Sequence, residues 1–378
     1  ALLDDGDVIV QNCRFERNFS TGTGGAIADT DVNPGSLVIR SCAFVKNRAN
    51  FGGALYLAKG FRVFDCLFEE NEAPGAGPST DPLGGGALHW RNQNSVNGRE
   101  IANCVFLRNS CGTHGGAIAS RGNSGRVLEL WNCLFIGNRA EAGNGGALYI
   151  TNGFMTTTNC TFAYNFAGSS GGVFGSLQGS PPQGRYAFQN TAFWRNDANG
   201  GGKLGQIDCF GTNETTVVFR TSFTDNAAIS DDCTPQVVFG SLTTLADLGF
   251  VDPLGPDLTP GTADDDYRLD FDSPLVDASF NPHLEDLPDV FDQDGDTDTI
   301  ERVPGDLLDG IRIVDSDGNG SAVADIGCYE IQTCEDCPGE RFWRNQFGGT
   351  FADGLNWLPG RAGIGSTAVF DIDDTYDV

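Results

Sequence analysis

The feature that most constrains this chain is a pattern that returns every 24 to 38 residues. Its clearest copy is Leu128 to Ala147, LELWNCLFIGNRAEAGNGGA. The core reads apolar-x-apolar-x-Asn-Cys-x-Phe-x-x-Asn and leads to Gly-Gly-Ala. Leu128 and Leu130 share one parity, and Cys133 and Phe135 share the other. A straight strand alternates its side chains with period two, so it cannot bury both pairs on one face. A bend at Asn132, in the left-handed conformation that Asn tolerates, turns both pairs inward. The unit therefore reads as strand, corner, strand, Asn-marked turn, Gly-rich turn.

The Phe-x-x-Asn core occurs eight times, beginning at Phe15, Phe44, Phe68, Phe106, Phe135, Phe162, Phe193 and Phe223. The corners are expected at Asn12, Ser41, Asp65, Asn103, Asn132, Asn159, Asn190 and, less typically, Arg220. Cys13, Cys42, Cys66, Cys104, Cys133 and Cys160 follow the first six corners, and Thr191 and Thr221 follow the last two. A period of this length signals a solenoid, a propeller or a helical array. Apolar spacing of two and Gly at fixed points disfavour helices. Most repeats are too short for a four-stranded propeller blade. The expected fold is all-β, a right-handed parallel β-helix of about eight or more coils with three short strands per coil. Equivalent residues then stack about 4.8 Å apart, giving internal ladders of Phe, Cys, aliphatics and Asn. The Cys ladder is read as small buried thiols filling a tight corner. Metal ligation or disulfides are the competing reading, and ladder neighbours with parallel side chains have poor bridging geometry.

The paired motifs, FERN…GGAI at Phe15–Ile27 and FLRN…GGAI at Phe106–Ile118, resemble the repeats of polymorphic outer-membrane proteins. More broadly the chain resembles the pectin-lyase-like β-helix superfamily over residues 7 to about 240. The resemblance implies the fold and a bacterial surface setting. It leaves function open, because that fold carries lyases, hydrolases, adhesins and phage spikes.

Three domains are expected: 1–249 as β-helix repeats, 250–332 as an Asp-rich closing segment that caps the rod, and 333–378 as the start of a second β-rich module. Residues 225–332 hold 26 acidic and 3 basic residues, which gives this segment 23 of the 28 net negative charges. The stretches GFVDP, DYRLDFDSPLVDAS and DIGCYEIQ resemble the closing segment of bacterial surface β-helix proteins. An open β-helix end is an unpaired edge, so a cap is physically needed. The last segment, with Trp343 and Trp357 placed to pack a first coil, resembles the opening of another β-solenoid module.

Two acidic runs suggest structural Ca²⁺. One is Asp292, Asp294, Asp296 and Asp298, with Glu301 beyond. The other is Asp315, Asp317 and Asn319, with Asp325 beyond. Alternating Asp and Asn put hard oxygens on one side of a tight loop, as in the first half of an EF-hand, but neither run completes that motif. A solvated acidic loop is the plain alternative.

The charge argues against nucleic acid and anionic membranes as partners, since both call for clustered cations. No apolar run approaches a membrane span. Twelve Cys in an acidic, Asn- and Gly-rich chain fit an exported protein. Cys209 and Cys233 flank the eighth coil and could bridge. Cys328, Cys334 and Cys337 cluster, and Cys111 has no evident partner outside the ladder. Ala1 is not an initiator Met, and the chain ends on an unfinished strand, so it reads as an excerpt of a longer, processed protein.

No catalytic constellation is legible. Lyase chemistry needs Arg or Lys beside carboxylates on one face, and hydrolase chemistry needs two carboxylates at a set separation. The acids of the rod look scattered, Glu129 among them. His89 and His114 sit beside Gly-Gly motifs in consecutive coils and read as turn residues. The favoured reading is a non-enzymatic extracellular structural or adhesive protein of the bacterial surface, a stalk or filament subunit. Its partners would be other copies, neighbouring surface proteins or polysaccharide. The competing reading is a lyase or glycoside hydrolase acting on acidic polysaccharide. Aligned charged residues on consecutive coils near the 73–98 loops would favour the enzyme.

Overall fold

The computed structural model describes residues 2–3, 8–30, 36–58, 60–75, 84–91, 99–121, 127–151, 153–177, 185–199, 206–210, 216–225, 234–235, 242–270, 272–284, 305–308, 310–316, 320–332, 340–343, 357–358 and 367–369. Those up to Thr244 form a parallel β-solenoid. The first sheet has eight strands, among them Leu88–Arg91, Ile118–Arg121 and Leu148–Thr151. The second has nine, including Arg99–Ala102, Val127–Trp131 and Phe154–Thr158, and the third has nine, including Val105–Leu107, Leu134–Ile136 and Thr161–Ala163. A fourth row was not foreseen. Five two-residue strands, such as Ser110–Cys111 and Arg139–Ala140, pair in parallel just after the Asn of each core. No helix among the described residues is long and apolar enough to cross a membrane.

Seven of the eight corners arise where the sequence asks for them. Asn12, Ser41, Asp65, Asn103, Asn132, Asn159 and Asn190 all have φ between 46° and 53°. A second left-handed position, unseen in the sequence, immediately precedes the Asn of the first seven cores. Arg17, Lys46, Glu70, Arg108, Tyr164 and Arg195 occupy it with φ of 47–55°, and Gly137 with φ 63°. The chain therefore turns twice around seven of the nine three-residue strands of the third sheet.

What holds seven coils in register is buried amide. The Asn138 backbone N–H and Nδ2 both donate to Asn165 Oδ1, at 3.0 and 2.9 Å. Asn138 Nδ2 also donates to Phe106 O, at 2.9 Å. The same set recurs from Asn47 through Asn165. Above it, the rings of Phe15, Phe44, Phe68, Phe106, Phe135 and Phe162 stack face to face at 4.6–5.0 Å. The Gly-Gly pair has a steric cause: a Cβ on Gly146 would lie 2.1 Å from Gly172 O of the next coil.

Cys13, Cys42, Cys66, Cys104, Cys133 and Cys160 are free, as are Cys111 and Cys328. Each ladder thiol donates to the carbonyl two residues back, for example Cys133 Sγ to Trp131 O at 3.1 Å. Burial pushes the Cys104 and Cys160 thiols well above their ordinary range. Cys233, Cys334 and Cys337, and the side chain of Cys209, lie outside the described residues.

One expectation is corrected. The eighth corner is Thr221, with φ 50°, and not Arg220. Phe219 continues the ladder of Phe188, stacking on it at 5.6 Å, so the register moves by one. Phe223 then pairs with Ala192 and points outward, while Thr224 takes the place opposite Phe193. The 250–332 segment also covers a side of the rod. Its described part lies along the flank, over the outer face of the third sheet. Leu134, Ile136, Ala163, Ala192 and Trp194 point outward and pack against Phe250, Tyr267, Leu269, Leu275, Ile326, Cys328, Tyr329 and Ile331. Those outward apolar side chains would otherwise face water, at roughly 25 cal/mol per Å².

In 333–378, Glu340–Trp343 pairs antiparallel with Trp357–Leu358 and parallel with Thr367–Val369. Trp343 and Trp357 are direct cross-strand partners.

Candidate functional site: the acidic cover and the carboxylate row beside it

The stretch Asp325–Gln332 seats the flanking cover on the rod. Gly327, at φ 100°, donates its N–H to Asn190 O, and a Cβ there would meet Thr161 Oγ1 at 2.6 Å. Only Gly lets the chain pass this close. The next residue, Cys328, donates its N–H to Thr161 Oγ1 at 3.2 Å. From the rod, Asn132 Nδ2 donates to Gly305 O at 2.9 Å, and Arg108 Nη1 donates to Gly261 O.

Beneath this seat lies a buried charged knot. Asp306 Oδ1 accepts the Leu308 and Gly310 amides, and its Oδ2 accepts that of Glu330. Asp325 Oδ1 accepts Asp277 N at 2.8 Å, and its Oδ2 accepts Ile331 N at 2.7 Å. The guanidinium of Arg312 donates to Gly327 O and lies 3.9 Å from Glu330. Burial pushes the carboxyls of Asp306 and Glu330 up, and that of Asp325 to about 6. Three buried acids thus surround one Arg, and backbone amides supply most of their solvation.

The expected Ca²⁺ ligands separate here. Asp292, Asp294, Asp296 and Asp298 lie outside the described residues, as do Asp317 and Asn319. Asp315 Oδ2 accepts Gly320 N at 2.9 Å. Asp325 has both oxygens engaged by backbone amides within the knot. Asp306, Glu330 and Arg312 were missed in the sequence. Their signal was the placing of isolated charges among apolar residues.

On the outer face of the second sheet, Arg62, Glu100 and Glu129 stand in one row on consecutive coils. Arg62 Nε lies 3.6 Å from Glu100 Oε2. Burial raises the Glu100 carboxyl against the pull of Arg62. Burial and the charge of Glu100 raise that of Glu129. The strand bearing Glu100, Arg99–Ala102, begins directly after residues 92–98. This is an aligned set of the kind the sequence did not reveal, because coil length varies between its members.

Each of the two His stacks on a tyrosine. His89 stacks on Tyr56 at 5.2 Å, and His114 stacks on Tyr149 at 4.3 Å while its Nδ1 accepts Asn144 N. Burial pushes the His114 pKa down, which fits a neutral acceptor in a turn.

The repeat model of the Chlamydia polymorphic membrane protein family matches residues 132–151. That stretch runs from the Asn132 corner to the end of strand Leu148–Thr151. Among curated proteins the chain is similar to the probable autotransporter YfaL of Escherichia coli (strain K12), 30% identical over 170 residues. The match covers 40% of this chain and 13% of that protein, so the chain spans a small part of its relative's length. No solved structure matches at a comparable level of significance. Repeat, relative and coil together indicate a bacterial cell-surface protein, a parallel β-solenoid with repeats of the polymorphic-membrane-protein type.

Proposed function

We propose that this chain is a non-enzymatic structural or adhesive rod of the bacterial surface, a stalk or filament subunit. The observation that carries the reading is the unbroken ladder from Asn18 to Asn196, buried from Asn47 onward, each amide bonded to the next coil. Such a stack transmits load along one axis and resists bending, as a stalk must. Its partners are other copies or neighbouring surface proteins, and Ca²⁺ held by the Asp-rich runs neutralises the acidic segment. Electron microscopy of the purified protein, with Ca²⁺ and then with chelator, tests this. Ordered filaments or sheets that need Ca²⁺ are the expected result. Monodisperse short rods in both conditions would overturn self-assembly.

A second reading, cleavage of acidic polysaccharide, is favoured by the Arg62–Glu100–Glu129 row, with two carboxyls raised on adjacent coils. Against it stands access, since the Glu100 side chain is only 16% exposed. Polysaccharide breakdown by the native protein, abolished in Glu100→Gln, would establish it.

A further inference from the structure

The turn between Phe250–Asp252 and Asp266–Leu269 gathers three carboxylates that neither Asp-rich run includes. One oxygen from each of Asp257, Asp264 and Asp265 lies within 4.8 Å of the others. Acidic clusters on a surface are common, and this one is set apart by its inner member. Asp265 is only 4% exposed. Its Oδ2 accepts Gly261 N, Thr262 N at 3.1 Å and Tyr267 Oη at 3.3 Å. Its Oδ1 is buried and has no hydrogen-bond partner. A buried carboxylate oxygen without a partner carries the full cost of its lost water.

We propose that Asp257, Asp264 and Asp265 bind a hard divalent cation, Ca²⁺, in this turn. The donor set is all oxygen, which suits a hard ion. Ca²⁺ bonds oxygen at about 2.3–2.6 Å, so ligands on opposite sides stand up to about 5 Å apart, and the cluster has that span. Mg²⁺ is held at about 2.0–2.1 Å, keeps several waters and usually takes one or two carboxylates. Nearby cations are already engaged. Arg108 Nη2 lies 3.0 Å from Glu69 and 2.6 Å from Glu70, and Arg268 lies 2.5 Å from Asp266. The donors to the three carboxylates are backbone amides and hydroxyls, such as Thr262 Oγ1 to Asp264 Oδ1 at 2.5 Å. None of these neutralises charge.

One further feature agrees. Gly255, at φ 54°, lies so close that a Cβ there would meet Asp264 Oδ2 at 2.8 Å. Asp257 and Asp264 are exposed, so an ion enters from solvent. The turn also holds Gly261, whose carbonyl receives Arg108 from the rod. A cation here stiffens the joint between cover and coil.

The test uses the full chain freed of Ca²⁺ and titrated with Tb³⁺, an ion of similar size and oxygen preference. Tb³⁺ at Asp265 is excited through Tyr267, whose hydroxyl donates to that carboxylate. The expected result is tyrosine-sensitised emission that Ca²⁺ displaces at least tenfold more readily than Mg²⁺. Asp257→Asn with Asp264→Asn removes two exposed ligands without touching the core, and should weaken Tb³⁺ binding at least tenfold. A variant neutralising Asp294, Asp296, Asp315 and Asp317 separates this site from the Asp-rich runs, and should keep the emission. Unchanged emission and Ca²⁺ competition in the first variant would overturn the proposal. So would loss confined to the second variant, or no sensitised emission from the native chain. Equal displacement by Mg²⁺ would overturn the assignment to Ca²⁺.

Discussion

If buried amides hold the coils in register, one of them removed from the middle should cost far more than one removed from the end. Asn138 is fully buried. Its Oδ1 accepts the Asn109 N–H at 3.1 Å and Asn109 Nδ2 at 3.0 Å. Its Nδ2 donates to Phe106 O and Asn165 Oδ1, both at 2.9 Å. Asn138→Leu keeps the volume and strips all four bonds. The Asn109 N–H loses its acceptor, at about 1–3 kcal/mol, and three other groups each lose one bond, at about 0.5–1.5 kcal/mol. Allowing for relaxation, the expected loss is about 3–5 kcal/mol, a large share of the roughly 5–15 kcal/mol of a folded domain. Asn18→Ala at the exposed first rung removes one bond, to Asn47 Oδ1, and should cost under about 1 kcal/mol. Asn138→Asp supplies a second signature. A carboxylate can accept from Asn109 but faces two acceptors, Phe106 O and Asn165 Oδ1. Its folded pKa is therefore raised, and its stability is present at acid pH and lost as pH rises through that pKa. Relative to the native protein it should regain on the order of 2 kcal/mol between pH 7 and pH 4, since each tenfold change in proton affinity is worth about 1.4 kcal/mol. Urea unfolding followed by circular dichroism measures all three. Equal costs for Asn138→Leu and Asn18→Ala, or an Asn138→Asp variant indifferent to pH, would refute the ladder as the source of register.

The second left-handed position makes a paired prediction. Gly137→Ala places a Cβ at φ 63°, where its nearest contacts are 3.3 and 3.4 Å, so the cost is backbone strain of about 1–2 kcal/mol. Lys46→Gly, at φ 55°, relieves the same strain and should be close to neutral once the entropy of Gly is counted. Thermal melts that move equally downward for both would contradict this. The cover should answer to pH. Folding raises Asp325 from an ordinary value of about 3.9 to about 6, so its contribution is fully present below about pH 4 and is lost as pH rises through about 6. That is about 3 kcal/mol, and Asp306 and Glu330 move in the same direction. Hydrogen exchange of 305–332, corrected for intrinsic rates, should show weaker protection at pH 7.5 than at pH 4.5. Protection that grows with pH would count against the buried knot.

The inside of the rod was legible because a ladder repeats its own constraint. Eight chances to see Phe-x-x-Asn fix the period, and the parity change at Asn132 fixes the corner. Most of the failures lie where only one copy exists. At the eighth repeat, Phe223 matched the motif by letter, yet Phe219 and Ser222 fill the ladder positions and shift the register by one. The second left-handed position was hidden because Arg, Lys, Glu and Tyr stand there, held by the Asn that follows, and only Gly137 betrays it. Outward residues carry no period at all. Leu134 and Ile136 flank Phe135 in a run of three apolar residues, which reads equally as a strand buried on both faces or a chance surface. The cover decides between these, and its own sequence has no repeat to align with theirs. The acids divide for the same reason. Letter patterns do not tell a carboxylate that caps backbone amides, as Asp325 does, from one left with a bare buried oxygen, as at Asp265. The unsatisfied atom, and not the density of Asp, therefore directs the search for an ion to the turn at 253–265.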